Sequence, residues 1–182
     1  MIARLIVLML GLTAWDPSQE ESQQPRKEVP EYEFKAAWLL NFARFVEWPA
    51  KAFEKETSPF IVGVLGEDPF TKDELGKALR GKAVGKRSFE IRKSDKADDL
   101  KGCHIVFIPA TETGRLEDIL GTFRGLPLLT VAEKADSARR GTAFNILIKN
   151  KKPVLELNNQ AAEAGGMKVS SQLRDWCEKV EP

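Results

Sequence analysis

The sequence predicts an α/β fold with three layers, in which helices cover both faces of a mostly parallel sheet and an antiparallel hairpin forms one edge. Residues 60–65 and 104–108 are short, nearly continuous apolar runs, which are typical of strands buried on both faces. Amphipathic segments such as residues 115–123 lie between the strands, as in right-handed strand–helix–strand units. Residues 144–157 contain two short apolar strands around a polar turn, which indicates the hairpin.

The first strongly periodic segment is residues 31–48, which predicts an amphipathic helix that ends before Pro49. Asn41 falls on the apolar side of this helix, and a buried amide needs hydrogen-bond partners. Two interpretations stay open. Asn41 either ties the helix to a neighbouring loop, or it lines a groove at the helix end together with Arg44, Glu47 and Trp48. The predicted core face comprises Phe34, Ala37, Trp38, Phe42 and Phe45, widened by Leu39 and Val46.

The middle of the chain alternates strands with helices. We predict strands at residues 60–65, 89–91, 104–108 and 127–131, and helices at residues 71–79 and 115–123.

The last third of the chain predicts the hairpin and two short helices. The hairpin strands are residues 144–148 and 154–157, and Asn145 raises the same question as Asn41 because it alternates with apolar neighbours. Asn158 is expected to cap a helix that runs through Ala164. Ser170 or Ser171 is expected to cap a final helix that carries Leu173, Trp176 and Val180.

The N-terminal region predicts export. Residues 1–14 have a short basic start and an apolar run too short to span a bilayer, which is typical of a signal peptide; a buried N-terminal strand or helix is the alternative. Residues 15–30 are polar and proline-rich, and predict a disordered linker. Residues 31–182 then form one α/β domain.

Charge and motif content argue against several classes of protein. The formal net charge is only +1, with both signs spread along the chain, so no basic surface favours nucleic acid. The chain has no G-x-S-x-G, Walker A or G-x-G-x-x-G motif. The single histidine, His104, begins a predicted buried strand, where a structural role is commoner than a catalytic one. We therefore predict a protein without enzymatic activity, metal or cofactor.

The two cysteines, Cys103 and Cys177, are the disulfide or redox candidates. A bond between them would close a loop of roughly 75 residues and stabilise the fold by about 4 kcal/mol in the chain-entropy model. The alternative is two separate thiols, and sequence spacing does not decide between them.

Five ordered motifs resemble the YfiR-like family. Residues 31–49 read E-Y-E-F-K-A-A-W-L-L-N-F-A-R-F-V-E-W-P and are similar to the opening helix of that family, whose members read close to E-Y-x-V-K-A-A-F-L-Y-N-F-x-K-F-V-E-W-P. The further matches are residues 61–70, 100–108, 128–131 with 144–145, and 167–173. The resemblance covers roughly residues 31–176.

This resemblance implies a periplasmic α/β protein that represses a membrane-bound diguanylate cyclase by engaging its periplasmic region. Repression would lower cyclic di-GMP signalling and biofilm formation. An OmpA-like outer-membrane lipoprotein is a further expected partner that sequesters the repressor, the redox state of the cysteines can modulate it, and a homodimer is also a candidate state.

A small-ligand sensor for another membrane signalling protein is the alternative hypothesis. Its pocket would lie at the carboxyl ends of the parallel strands, as in open α/β sheets generally. Arg44, Trp48 and Arg174 are the expected lining residues, and Ser171 and Asn145 complete the candidate groove.

Overall fold

The structure is a computed structural model that describes residues 30–181. The predicted signal peptide, residues 1–14, lies outside the described residues, as does the predicted linker apart from Pro30. None of the described helices is both long and apolar enough to cross a membrane.

The helices are α1 (Glu31–Phe45), α2 (Glu74–Leu79), α3 (Leu116–Phe123), α4 (Asn159–Ala164) and α5 (Ser171–Asp175). The strands are β1 (Val46–Glu47), β2 (Phe60–Leu65), β3 (Ala83–Val84), β4 (Arg87–Ser94), β5 (Ile105–Ile108), β6 (Leu129–Ala132), β7 (Phe144–Lys149), β8 (Lys152–Leu157), β9 (Lys168–Val169) and β10 (Glu178–Lys179).

Eight of these strands form one mixed sheet in the order β10-β8-β7-β6-β5-β2-β4-β3. Strands β4, β2, β5, β6 and β7 are parallel, and β8 pairs antiparallel with β7, which confirms the predicted parallel sheet with a hairpin. The chain leaves β2 for β4 on one side and then returns to β5 on the other. The carboxyl ends of β2 and β5 therefore mark the switch point, where open α/β sheets usually bind ligands.

Two apolar clusters confirm that helices cover both faces of the sheet. The larger cluster packs α1, α2, α4 and α5 against one face, with Phe42 stacked on Phe144 at 4.2 Å between ring centroids. The smaller cluster packs α3 against the other face and includes Cys103. Gly63 faces this second cluster, where an added Cβ would lie 3.0 Å from the Cys103 sulfur. A larger residue in place of Gly63 would therefore push the two layers apart.

Helix α1 ends three residues earlier than predicted, and it is rotated relative to the predicted core face. Val46 and Glu47 leave the helix because they pair with Val169 and Lys168 in a separate two-stranded sheet. The fully buried positions of α1 include Ala36 and Leu39, whereas Ala37 of the predicted core face is exposed and most of its aromatic residues are only half-buried. The buried residues of α1 are Lys35, Ala36, Leu39, Leu40, Phe42 and Ala43.

The C-terminal third confirms the caps and corrects the last helix. Asn158 and Ser170 cap α4 and α5 by accepting hydrogen bonds from the backbone three residues on. Helix α5 ends at Asp175, and Val180 lies beyond β10 and donates its N–H to Leu157 instead of lying on the helix. The chain extends there because β10 adds a parallel strand to β8. Helix α2 also begins later than predicted, at Glu74.

A buried lysine, which the hydrophobic pattern does not reveal, fixes the start of α1. Lys35 is 2% exposed, and its Nζ lies 2.6 Å from a carboxylate oxygen of Glu133, just after β6. It also pairs with Glu31 one turn earlier. Glu133 accepts the N–H of Ala110 after β5, at 2.9 Å. Burial, with Glu133 and Glu31 nearby, raises the pKa of Tyr32 to about 12. These side chains fill the carboxyl edge of the sheet close to its switch point.

Replacing Lys35 with methionine should destabilise the fold by about 3–5 kcal/mol, because it leaves the buried Glu133 carboxylate without a positively charged partner. The double variant Lys35→Met with Glu133→Gln should recover most of that loss. Urea unfolding of the four forms in the cycle measures the coupling. Glu31→Gln is the control, since the Glu31 side chain is 47% exposed and its loss should cost less than about 1 kcal/mol. Equal unfolding midpoints for Lys35→Met and the unmodified chain would contradict this account.

Candidate interaction surfaces

Four aromatic residues form a partly exposed surface, which we call the aromatic surface: Phe34, Trp38 and Phe45 of α1, and Trp176 after α5. The ring of Trp176 meets Trp38 edge-on at 5.8 Å and Phe45 edge-on at 5.3 Å between centroids. Phe34 packs against Trp38 at 6.0 Å. Trp176 remains 47% exposed. The rings are thus held by one another while one side of them faces solvent.

The aromatic surface borders a cleft at the β8 edge of the sheet. The cleft has a volume of about 340 Å³, and Pro153 and Val154 of β8 form its opposite wall. Asn41 lies on the same side of α1, one turn from both Trp38 and Phe45, and is half-buried. Asn41 is therefore the candidate groove residue that joins this surface.

The sequence of α1 contains a pattern that indicates this surface, but the helical spacing of its aromatic residues predicts that they belong to the core. Apolar side chains occupy most of the circumference of α1, more than one sheet contact can cover. The spacing predicts that the aromatic arc is buried, whereas the structure buries the aliphatic arc around Leu39 and Leu40 and leaves the aromatic arc at the rim. A helix whose apolar side chains cover more of its circumference than one contact with the sheet can bury is therefore a sign of such a surface.

Arg44 and Trp48 lie in a different groove, at the amino ends of the strands. The groove has a volume of about 560 Å³ and is also lined by Phe53 and Arg87. The guanidinium carbon of Arg87 lies 3.6 Å from the centroid of the Phe53 ring. Trp48 packs edge-on against Phe60 at the start of β2. The prediction that Arg44 and Trp48 line a pocket at the carboxyl ends of the strands is therefore wrong. Helix α1 is antiparallel to the strands, so its last residues lie at the amino ends of the strands.

His104 has a structural role in the floor of this region. The ring accepts the N–H of Ile61 at Nδ1, at 3.0 Å, which leaves Nε2 to donate to the carbonyl of Ala52 at 2.9 Å. The Phe53 ring stacks on the imidazole at 4.4 Å. Burial lowers the pKa of His104, and Arg87 adds to that effect. Both ring nitrogens are thus engaged with the backbone in the neutral form.

The remaining candidate groove residues are dispersed. Arg174 is half-buried and lines two clefts, of about 590 and 380 Å³, neither of which includes Trp48. Ser171 and Glu47 are exposed, at the start of α5 and in β1. Asn145 is fully buried and donates to the carbonyl of Lys134 and to the carboxylate of Glu156. The structure thus joins Arg44 with Trp48, separates both from Arg174, and removes Asn145 from any surface.

The two cysteines are free thiols on opposite faces of the sheet. Cys103 belongs to the apolar cluster on the α3 face, and Cys177 packs against the cluster on the α1 face. The sheet lies between them. Burial raises the pKa of Cys103 to about 11 and that of Cys177 to about 12, so both are thiols at neutral pH.

Comparisons with known proteins identify the family of the chain and a similar fold. A protein-family model described as YfiR/HmsC-like matches residues 32–175. No curated protein matches the sequence. A solved structure of a conserved domain protein from Vibrio cholerae O1 biovar El Tor strain N16961 is similar, with a TM-score of 0.54 and 9% sequence identity. The similarity covers 79% of this chain and 59% of that chain, and at this identity it establishes the fold alone.

Replacing His104 with glutamine should flatten the pH dependence of stability between pH 7.5 and 5.5. The folded pKa lies below the usual histidine value of 6.5, so the unfolded chain takes up the proton first and the stability due to His104 is lost as pH falls below about 6.5. At pH 7.5 the substitution should cost about 1–3 kcal/mol through its backbone hydrogen bonds. Urea unfolding across this range measures both effects. Because the chain has one histidine, parallel pH profiles for the two proteins would contradict the assignment.

Both cysteines should remain thiols when the protein is purified without reductant. Intact-mass measurement should show no loss of two hydrogens, and a thiol-reactive disulfide reagent should label the native protein slowly and the urea-unfolded protein fully. Adding reductant should leave the unfolding midpoint unchanged, because no bond constrains the unfolded chain. A reductant-dependent midpoint would overturn this prediction.

Proposed function

The chain belongs to the YfiR/HmsC-like family, and on that premise we propose that it is a periplasmic regulatory protein that binds and represses a membrane-bound diguanylate cyclase. Repression lowers cyclic di-GMP signalling and biofilm formation. The mechanism is a population shift, in which the protein binds the inactive arrangement of its partner more tightly than the active one. An OmpA-like outer-membrane lipoprotein competes for the free protein and relieves the repression.

The aromatic surface carries this proposal. Tyrosine, tryptophan and phenylalanine are enriched where proteins bind one another, and a few such residues supply most of the binding energy. Trp38 and Phe45 hold the Trp176 ring edge-on, so little conformational freedom remains to be lost on binding. Trp176 nevertheless keeps 47% of its surface in water, which a partner can cover.

The positions of the groove residues favour a protein partner over a small ligand. A ligand sensor needs one pocket with convergent polar groups. Arg44 and Trp48 line one groove and Arg174 lines two others, so the expected lining set is divided among separate clefts. The aromatic surface is, in contrast, continuous between α1 and Trp176. Since the cysteines lie on opposite faces of the sheet, the proposal includes no control by a bond between them.

Replacing Trp176 with alanine should weaken binding to the periplasmic region of the cyclase by at least about tenfold, as expected for a central aromatic residue. Calorimetry with the chain lacking residues 1–14 measures the affinity. Circular dichroism checks that the variant is folded. Trp38→Ala tests the same surface from α1.

Leu120→Ala is the matched control, because Leu120 is a half-buried apolar residue on α3, at the opposite face of the sheet. It should leave the affinity unchanged. Equal loss of affinity in Trp176→Ala and Leu120→Ala would argue against the aromatic surface. Absence of binding by the unmodified chain would overturn the cyclase as partner and favour a ligand-sensing role.

A further inference from the structure

We infer that the protein makes a weak, direct contact with the surface of an anionic lipid bilayer through the tip of the β7–β8 hairpin, residues 148–153. This contact is additional to the binding of a protein partner and does not depend on it. It rests on the projection of the tip from the sheet, on lysines kept where they destabilise the hairpin, and on an exposed apolar area beside them.

The hairpin tip projects from the carboxyl edge of the sheet. Strand β7 pairs with β6 only as far as Asn145, and beyond that residue it pairs with β8 alone. All six residues of the tip are exposed, whereas Leu147, immediately before it, is 7% exposed. The tip is therefore convex, and it can enter the headgroup layer of a bilayer while the rest of the domain stays in water.

The turn of the hairpin holds a lysine in a conformation that favours glycine. Asn150 and Lys151 form the two-residue loop between β7 and β8, and their φ angles are 52° and 60°. A hairpin loop with positive φ at both positions usually has asparagine first and glycine second. Lysine has a β-carbon that disfavours this conformation, so Lys151 makes the turn less stable than glycine would.

The residues beside the turn bring like charges together. Lys149 and Lys152 lie directly opposite one another in the ladder, an arrangement that destabilises a strand pair. Glu156 and Glu178 both pair with Lys149, whereas Lys151 and Lys152 have no acidic partner among the described residues. Strain and repulsion retained at one place are typical of a functional site. The lysines of the tip therefore fit an anionic partner outside the chain.

An apolar area adjoins these lysines. Phe144 and Ile146 belong to the larger apolar cluster, so Ile148, two residues further along β7, faces the same side of the sheet. Ile148 is 40% exposed. Pro153 lies opposite Ile148 in the ladder and borders the same cleft as Trp176. Aliphatic and tryptophan side chains beside lysines are the combination that binds at a membrane interface.

The charge of the tip favours anionic headgroups. Each lysine close to an anionic bilayer strengthens binding by about fivefold. The formal net charge of the chain is only +1, so such an attraction has to be local. Ile91 on β4 is also exposed among the described residues, but its neighbours Glu90 and Arg92 have opposite charges and give that edge no comparable attraction.

The hairpin tip and the aromatic surface adjoin each other, since Pro153 and Trp176 border one cleft. A tip that lies in the headgroup layer would therefore hold the aromatic surface beside the membrane. There it faces the part of a membrane protein that is closest to the bilayer. Two weak contacts made together reinforce one another through effective concentration.

Vesicle binding tests the contact without any protein partner. The chain lacking residues 1–14 is sedimented with vesicles of phosphatidylglycerol and phosphatidylethanolamine, and with vesicles of phosphatidylcholine alone. Partition into the anionic vesicles should be at least about tenfold stronger at low salt and should weaken as salt is added. Lys151→Glu with Lys152→Glu should weaken it by at least about tenfold, and Ile148→Ser by about fivefold.

Two further variants separate the tip from the net charge and from misfolding. Lys51→Glu with Lys55→Glu makes the same change in net charge at exposed lysines near the amino-end groove, and should change partition by less than about twofold. Lys151→Gly should raise the unfolding temperature measured by circular dichroism, because glycine accepts the positive φ. The same variant should nevertheless weaken partition by about fivefold.

Three results would each overturn the inference: no partition of the unmodified chain into anionic vesicles, equal partition into both kinds of vesicle, or equal weakening by the two double variants. In the first case the lysines would instead fit an acidic segment of a protein partner. Loss of cyclase binding would not affect the result, because the vesicles contain no protein. Failure of the proposed function and failure of this inference are therefore distinguishable.

Discussion

The position of α1 depends on the buried ammonium group of Lys35. A buried charge is tolerated only with a partner, and Glu133 supplies it from the end of β6. This contact fixes the start of the helix at the carboxyl edge of the sheet. Pairing of β1 with β9, together with the hydrogen bond from Ser170 to the Phe45 carbonyl, fixes the other end. A helix held at both ends has little freedom to roll, so these contacts decide which of its side chains face the sheet.

The same constraint has consequences at both edges of the strands. At the carboxyl edge, Lys35, Glu133 and Tyr32 fill the region beside the switch point, where open α/β proteins usually bind ligands. At the amino edge, the chain after α1 brings Trp48 against Phe60 and His104. The grooves that remain are peripheral. The fold therefore offers surfaces for a partner more readily than a deep pocket for a small molecule.

The central strands β2 and β5 were predictable because burial on both faces leaves a continuous apolar run with few other interpretations. The two-residue strands β1, β3, β9 and β10 were not predicted, because they are too short to leave a pattern. The rotation of α1 was not, because apolar residues occupy most of its circumference and the deciding contact, Lys35 with Glu133, joins residues 98 positions apart. Val180 was misplaced for a similar reason, since pairing with β8 outweighed the helical spacing of Leu173 and Trp176. For the candidate groove, the helical spacing of α1 was enough to place Arg44 and Glu47 close to Trp48. The spacing could not show that α1 carries these residues to the amino ends of the strands, whereas Asn145 lies beside the carboxyl end of β6.

The aromatic surface depends on the same constraint on α1. The buried contacts of Lys35 and the pairing of β1 with β9 hold the helix so that Trp38 and Phe45 lie at the β8 edge of the sheet, where Trp176 packs edge-on against both. The aliphatic arc around Leu39 and Leu40 already fills the core, so the outer sides of these rings are not needed for folding. A partner that covers Trp176 would therefore gain apolar burial without disturbing the contacts that hold the fold together.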